Sequence, residues 1–125
     1  MLVTTRFRIP EADGEAFLAD AQRAVEALAA RPGFRHGRVG RAVEDPQAWV
    51  VHTEWDGVGA YRRALSAYDV KVYAAPLLGR ALDEPSAYEV LFADGDSAAG
   101  PLAHGVSARA ADADSAVPGQ DLTQA

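Results

Sequence analysis

The first 92 residues alternate between two hydrophobic periods, two and about three and a half, in an order that few folds satisfy. Residues 2–9 alternate, with Val3, Thr5, Phe7 and Ile9 on one face and Thr4, Arg6 and Arg8 on the other, as in a half-buried strand. Pro10 to Gly14 reads as a turn. From there to about Ala30, the positions Phe17, Ala21, Ala24, Val25 and Leu28 make one apolar helical stripe, stopped by Pro32-Gly33. Residues 34–43 are strand-like, with Phe34, His36 and Arg38 sharing what alternation makes the inner face. Glu44-Asp45-Pro46 turns the chain. Residues 48–55 then place Trp49, Val51, Thr53 and Trp55 on one face and Val50, His52 and Glu54 on the other. A broken helical region spans 58–82, with Asp69 as the N-cap of a restart and a kink at Pro76. Residues 86–92 form a last strand.

The order β-α-β-β-α-β predicts an α+β, ferredoxin-like domain over residues 1–92, with helices on one face of an antiparallel sheet. The other face, carrying Arg6, Arg8, Arg41, His52 and Glu54 beside Val39, Val43 and Val50, needs a cover. A symmetric homodimer would supply it. In this frame His52 is interfacial, with a catalytic role as the lesser alternative. Glu54 should pair with an arginine of the first or second strand, or across the dimer axis. Residues 93–125 contain no aromatic residue and are rich in Ala, Gly, Asp and Ser, so they read as a disordered acidic tail.

Composition narrows the function classes. The chain has no cysteine, which removes disulfides, zinc–thiolate sites and thiol nucleophiles. Its net charge of −6 argues against a nucleic-acid partner. No apolar run is long enough for a membrane, and Arg6 and Arg8 stand where a secretion signal would be apolar, so a cytoplasmic protein is expected. Three scattered histidines make no metal triad, and no glycine-rich phosphate loop joins a strand to a helix.

Pro32-Gly33-Phe34, the run Trp49 through Glu54-Trp55, Tyr61, and Tyr68-Asp69-Val70 together resemble the antibiotic-biosynthesis monooxygenase family of dimeric α/β-barrel proteins. The resemblance covers residues 1–92. It implies a small enzyme that oxygenates an aromatic or polyketide-type metabolite without a cofactor. The quinone-forming members place an Asn, a Trp, a Tyr and an Arg where this chain has Val51, Trp55, Tyr61 and Ala75. Haem-degrading members use an Asn, a second Trp and an iron-binding His; this chain has no Asn, and the helical positions hold Ala64 and Ala74.

Cofactor-free oxygenation needs an electron-rich substrate, a group favouring its anion, and a dry aromatic pocket. Trp55 and Tyr61 fit as pocket wall and phenol donor, with core packing as the plainer reading. His36 and Arg38 would be base and anion clamp on the inner face. Tyr68 and Tyr73 are candidates for the pocket mouth, at most one of them pointing inward. Two other functions suit the same fold: a non-catalytic ligand-binding or accessory module, and a polyketide cyclase or isomerase.

Overall fold

A computed structural model describes residues 1–95. The expected acidic tail lies, from residue 96 onward, outside the described residues. The elements run β1 (Leu2–Arg8), a 3-10 turn (Glu11–Asp13), α1 (Gly14–Ala29), β2 (Phe34–Arg41), β3 (Ala48–Trp55), α2 (Val58–Leu65), α3 (Tyr68–Tyr73), α4 (Ala75–Leu78) and β4 (Ala87–Tyr88). The sheet is antiparallel with strand order β2-β3-β1-β4. This is the ferredoxin-like α+β arrangement that the alternating periods require.

The core forms where the sheet's inner face meets the helices. Val3, Thr5 and Phe7 of β1 and Trp49, Val51, Thr53 and Trp55 of β3 are all buried, because cross-strand partners such as Val3–Thr53 and Phe7–Trp49 share a face. Helix α1 covers them with Phe17, Ala21, Ala24 and Leu28, at helical spacing. Small alanines on α1 and α2 let the helices approach the large side chains of β3. Ala60, Ala64, Val70, Ala74 and Leu77 close the layer.

The aromatic residues gather at its two ends. At one end Phe17 lies 5.0 Å from Phe7 and 5.2 Å from Trp49 between ring centroids. At the other, Trp55 lies 5.2 Å from Phe34 and 5.5 Å from Tyr61.

Four local expectations are corrected. β2 carries a bulge between Phe34 and His36, so the alternation that begins at Phe34 shifts by one residue. Gly37 then opposes Thr53 on the inner face, where a Cβ would crowd Val25, Phe34 and Thr53 at 3.1–3.3 Å. Second, β4 is two residues long, not seven; its ladder ends at Tyr88, and Leu91 and Phe92 stand more than four-fifths exposed. Third, α3 is entered from Ala67, and Asp69 lies within its first turn instead of capping it. Fourth, Val39 and Arg41, expected on the outer face, oppose Val51 and Trp49 of the inner one. The broken helical region itself is present, and Pro76 sits in the first turn of α4, where its missing N–H costs nothing.

Candidate functional site

Trp55 ends β3, and its indole Nε1 donates to Thr53 Oγ1 at 2.9 Å, so its only polar group is satisfied inside the layer. The extended Gly57 then starts α2, whose second turn lays Tyr61 against the Trp55 ring. Tyr61 is half-buried, and its hydroxyl makes no hydrogen bond among the described residues. Burial raises its phenol pKa above the ordinary value of 10.0. Tyr61 therefore stays protonated at neutral pH. It can donate a hydrogen bond or a proton, but it cannot serve as a base.

The other candidate polar residues lie on the opposite face. Because of the bulge, His36 opposes Glu54, and Arg38 opposes His52, which in turn opposes Thr4. These residues form one cluster of hydrogen bonds and close charge contacts. Glu54 Oε1 lies 3.2 Å from His36 Nε2, and Glu54 Oε2 lies 3.3 Å from His52 Nε2. Arg38 Nη1 is 3.2 Å from His36 Nδ1, and Thr4 Oγ1 is 2.9 Å from His52 Nδ1.

The tautomers follow from what each atom can do. A guanidinium only donates, so His36 Nδ1 accepts from Arg38. The Glu54 carboxylate accepts from His52 Nε2–H, and His52 Nδ1 meets the Thr4 hydroxyl. Both imidazoles thus face one carboxylate, His52 through a hydrogen bond and His36 at ion-pairing distance. The adjacent Arg38 charge makes this a poor place for a cation, and no group of three such side chains among the described residues is arranged to hold a metal.

Within the described residues Glu54 is therefore not paired with an arginine of β1 or β2. Arg6 forks onto Glu84 at 2.7 and 2.9 Å, and Arg8 reaches Asp45 at 2.8 Å, so both arginines of β1 are engaged at the sheet's margins. Burial pushes the Glu54 carboxyl up, but the His52 hydrogen bond and attraction to His36, His52 and the Met1 amino group outweigh it, and the net direction is down. A depressed carboxylate contributes stability that is present above its unfolded pKa and lost as pH falls through the folded one. The wild-type chain should therefore lose stability more steeply than Glu54→Gln once pH drops below the ordinary glutamate value of 4.5. Chemical denaturation at a series of pH values between neutral and strongly acidic checks this; parallel acid limbs would refute it.

His36 and Arg38 therefore do not join Tyr61: the sheet lies between them, which corrects the inner-face assignment. His52 lies on the outer face as expected. Tyr68 is 79% and Tyr73 50% exposed, so neither packs into the layer. Trp55 and Tyr61 are the two candidates that the structure brings together. The role of Glu54 as the common neighbour of both histidines was missed. Gly37 was the signal for it, since a glycine inside a strand often marks a bulge.

Val51 is buried in the core at 3% exposure, and Ala75 opens α4. No helix among the described residues is long and apolar enough to cross a membrane.

Comparison with solved structures places this geometry among known folds. The chain is similar to SnoaB, a cofactor-independent oxygenase from Streptomyces nogalater, at 24% identity and a TM-score of 0.52, covering 65% of this chain and 82% of that one. An antibiotic biosynthesis monooxygenase-like protein of Nitrosomonas europaea matches with 14% identity and a TM-score of 0.59, over 73% and 89% of the two chains. A conserved protein from Methanosarcina mazei Go1 matches with 19% identity and a TM-score of 0.57, over 69% and 84%. At these identities the likeness shows the fold. No curated protein sequence matches. The sequence model of antibiotic biosynthesis monooxygenases matches residues 1–75. With the ferredoxin-like sheet, its helical cover and this match over most of the domain, the chain belongs to the antibiotic biosynthesis monooxygenase family.

Proposed function

We propose that this protein is a small cofactor-independent monooxygenase-like enzyme acting on an aromatic or polyketide-type metabolite between sheet and helices, near Trp55 and Tyr61. The observation that carries this reading is the Trp55–Tyr61 pair: an indole with its own N–H satisfied, packed at a tilt against a half-buried phenol held in its protonated form. These are the two positions it shares with quinone-forming relatives.

The chemistry asks little of the protein. A phenolic or enolic substrate loses a proton and passes one electron to O2. The two radicals combine, and the peroxide breaks down with loss of water. The product has gained one oxygen and lost two hydrogens. Tyr61 supplies a donor toward the anionic oxygen of substrate or peroxide, and the buried Trp55 ring holds it in place from behind. With His36 and Arg38 on the far side of the sheet, the proton must leave to solvent or to a base on the substrate. Electron-rich substrates with acidic C–H or O–H groups fit best.

The test is oxygen uptake by the purified protein, without added metal or flavin, across a panel of anthrone-like phenols. Saturable uptake proportional to protein, with the product stoichiometry above, is the expected result. A second reading is favoured by Val51 and Ala75, which leave an apolar surround in place of polar anchors: a module that binds a flat intermediate without converting it. Tight binding of the same phenols with no turnover, oxidative or cyclising, would establish that reading instead. Cyclisation without oxygen consumption would point to a cyclase.

The homodimer belongs to the same proposal. What supports it is an outer sheet face whose central groups are committed to one another, and the apolar pair Leu91–Phe92 left exposed just past β4. Sedimentation equilibrium should give twice the chain mass, and Leu91→Ser with Phe92→Ser should weaken self-association at least about tenfold. A monomeric wild type would end this part of the proposal.

A further inference from the structure

The end of the layer remote from Tyr61 contains a buried donor with nothing to bind. Trp49 is 6% exposed, and its indole Nε1 has no hydrogen-bond partner among the described residues. Buried indole N–H groups nearly always find an acceptor, and the two inward aromatics near it, Phe7 and Phe17, offer none. The edge of the ring next to Nε1 borders the start of α1: a Cβ on Gly14 would lie 3.5 Å from Trp49 Cζ2, so no side chain from that position covers it.

Beside the orphaned N–H stands an unmatched cation. The Arg41 guanidinium carbon lies 5.3 Å from the Trp49 ring centroid. Arg80 holds the comparable position over Phe17 at 5.4 Å, but Asp20 lies 3.7 Å from it. Arg41 has no carboxylate within ion-pairing distance among the described residues. Its neighbour across the β2–β3 turn, Asp45, is taken by Arg8.

One neutral donor and one unpaired positive charge match a ligand with two acceptor oxygens and a single negative charge. We propose that the Arg41–Trp49 end of the layer binds a small organic carboxylate, one oxygen accepting from Trp49 Nε1 and the other from the Arg41 guanidinium. A dianion such as phosphate fits less well, because Glu11, Asp13 and Glu15 introduce carboxylates at the adjacent start of α1. Arg41 is exposed and sits on a flexible stem, so it can move from the ring face to the ring edge as the ligand enters. Trp49 and Trp55 are six residues apart on one strand, roughly 20 Å. The site is therefore separate from the Trp55–Tyr61 group and independent of the oxygenase reading.

Two tryptophans give two indole N–H resonances in an NMR spectrum of the 15N-labelled full chain, and Trp49→Phe assigns them. The Trp49 signal should start upfield of that of Trp55, which is hydrogen-bonded to Thr53. Sodium benzoate or sodium acetate, titrated at constant ionic strength against sodium chloride, should move the Trp49 signal downfield to saturation and leave Trp55 in place. Arg41→Gln, an exposed change, should weaken that binding at least about tenfold, with Arg41→Lys in between. A Trp49 signal that neither carboxylate moves, one that chloride moves equally, or equal affinity in Arg41→Gln would overturn the proposal. Oxygen uptake on phenols does not enter this test, so each proposal can fail without the other.

Discussion

Tyr61→Phe should lower the oxygenation rate by about a hundredfold while leaving the fold intact. The change removes one hydroxyl that makes no bond to the rest of the described chain, so little packing is lost. What disappears is a donor aimed at a developing anion in a partly dry site, worth on the order of a hundredfold in rate. The effect should fall on kcat, with KM for the phenol nearly unchanged, because the donor matters most when charge builds up on oxygen. A structural role alone would instead appear as lower stability with unaltered turnover per folded molecule. The same variant checks the protonation state. Burial keeps this phenol protonated above the ordinary value of 10.0, so among the four tyrosines one should ionise last in an ultraviolet titration, and Tyr61→Phe should remove that late phase. Its raised pKa also means that the stability it contributes is intact below pH 10.0 and is lost as pH rises through the folded value. A late phase that persists in Tyr61→Phe would show that the phenol is not held protonated by its surroundings.

Gly33→Ala should be the most destabilising single-methyl change in the domain, costing about 2–4 kcal/mol. Gly33 has φ +89°, and a Cβ there would collide with the Ala60 Cβ. Both problems act together, since the backbone resists the side chain and α2 occupies its space. The turn cannot simply relax: the Gly33 carbonyl accepts from the Asp56 N–H at 2.8 Å, which ties the start of β2 to the turn before α2. Any shift must displace Phe34, Trp55 and Tyr61, so the site should suffer with the fold. Thermal unfolding should show Tm lower by roughly 10–20 °C. Gly57→Ala is the control. Gly57 has an extended backbone and open space around it, and the change should cost about 1 kcal/mol or less. Equal losses in the two variants would rule out the contact with Ala60 as the cause.

How far the site could be read from the sequence differs residue by residue. Trp55 and Tyr61 were legible because each lies in a regular element. The alternation of β3 fixes the face of Trp55, and a short turn of fixed length places Tyr61 on α2. His36 was misplaced because one extra residue in a strand reverses every later side chain, and period-two reasoning assumes there is none. Gly37 marked the spot, but only the neighbours Val25, Phe34 and Thr53 show why an inward side chain there would not fit. The close approach of His36 to Glu54 depends on that reversal, which brings the two opposite each other.

The sequence by itself determined the order of elements, the inner faces of β1 and β3, the apolar stripe of α1 and the break in the later helices. These are local properties, carried by hydrophobic spacing and by proline and glycine. Tertiary structure alone decided the bulge in β2, the early end of β4, the exposure of Tyr68 and Tyr73, the two imidazoles on Glu54 and the unpartnered N–H of Trp49. Each of those depends on which surface another element occupies, and residues distant in the chain meet there only once the layers have packed.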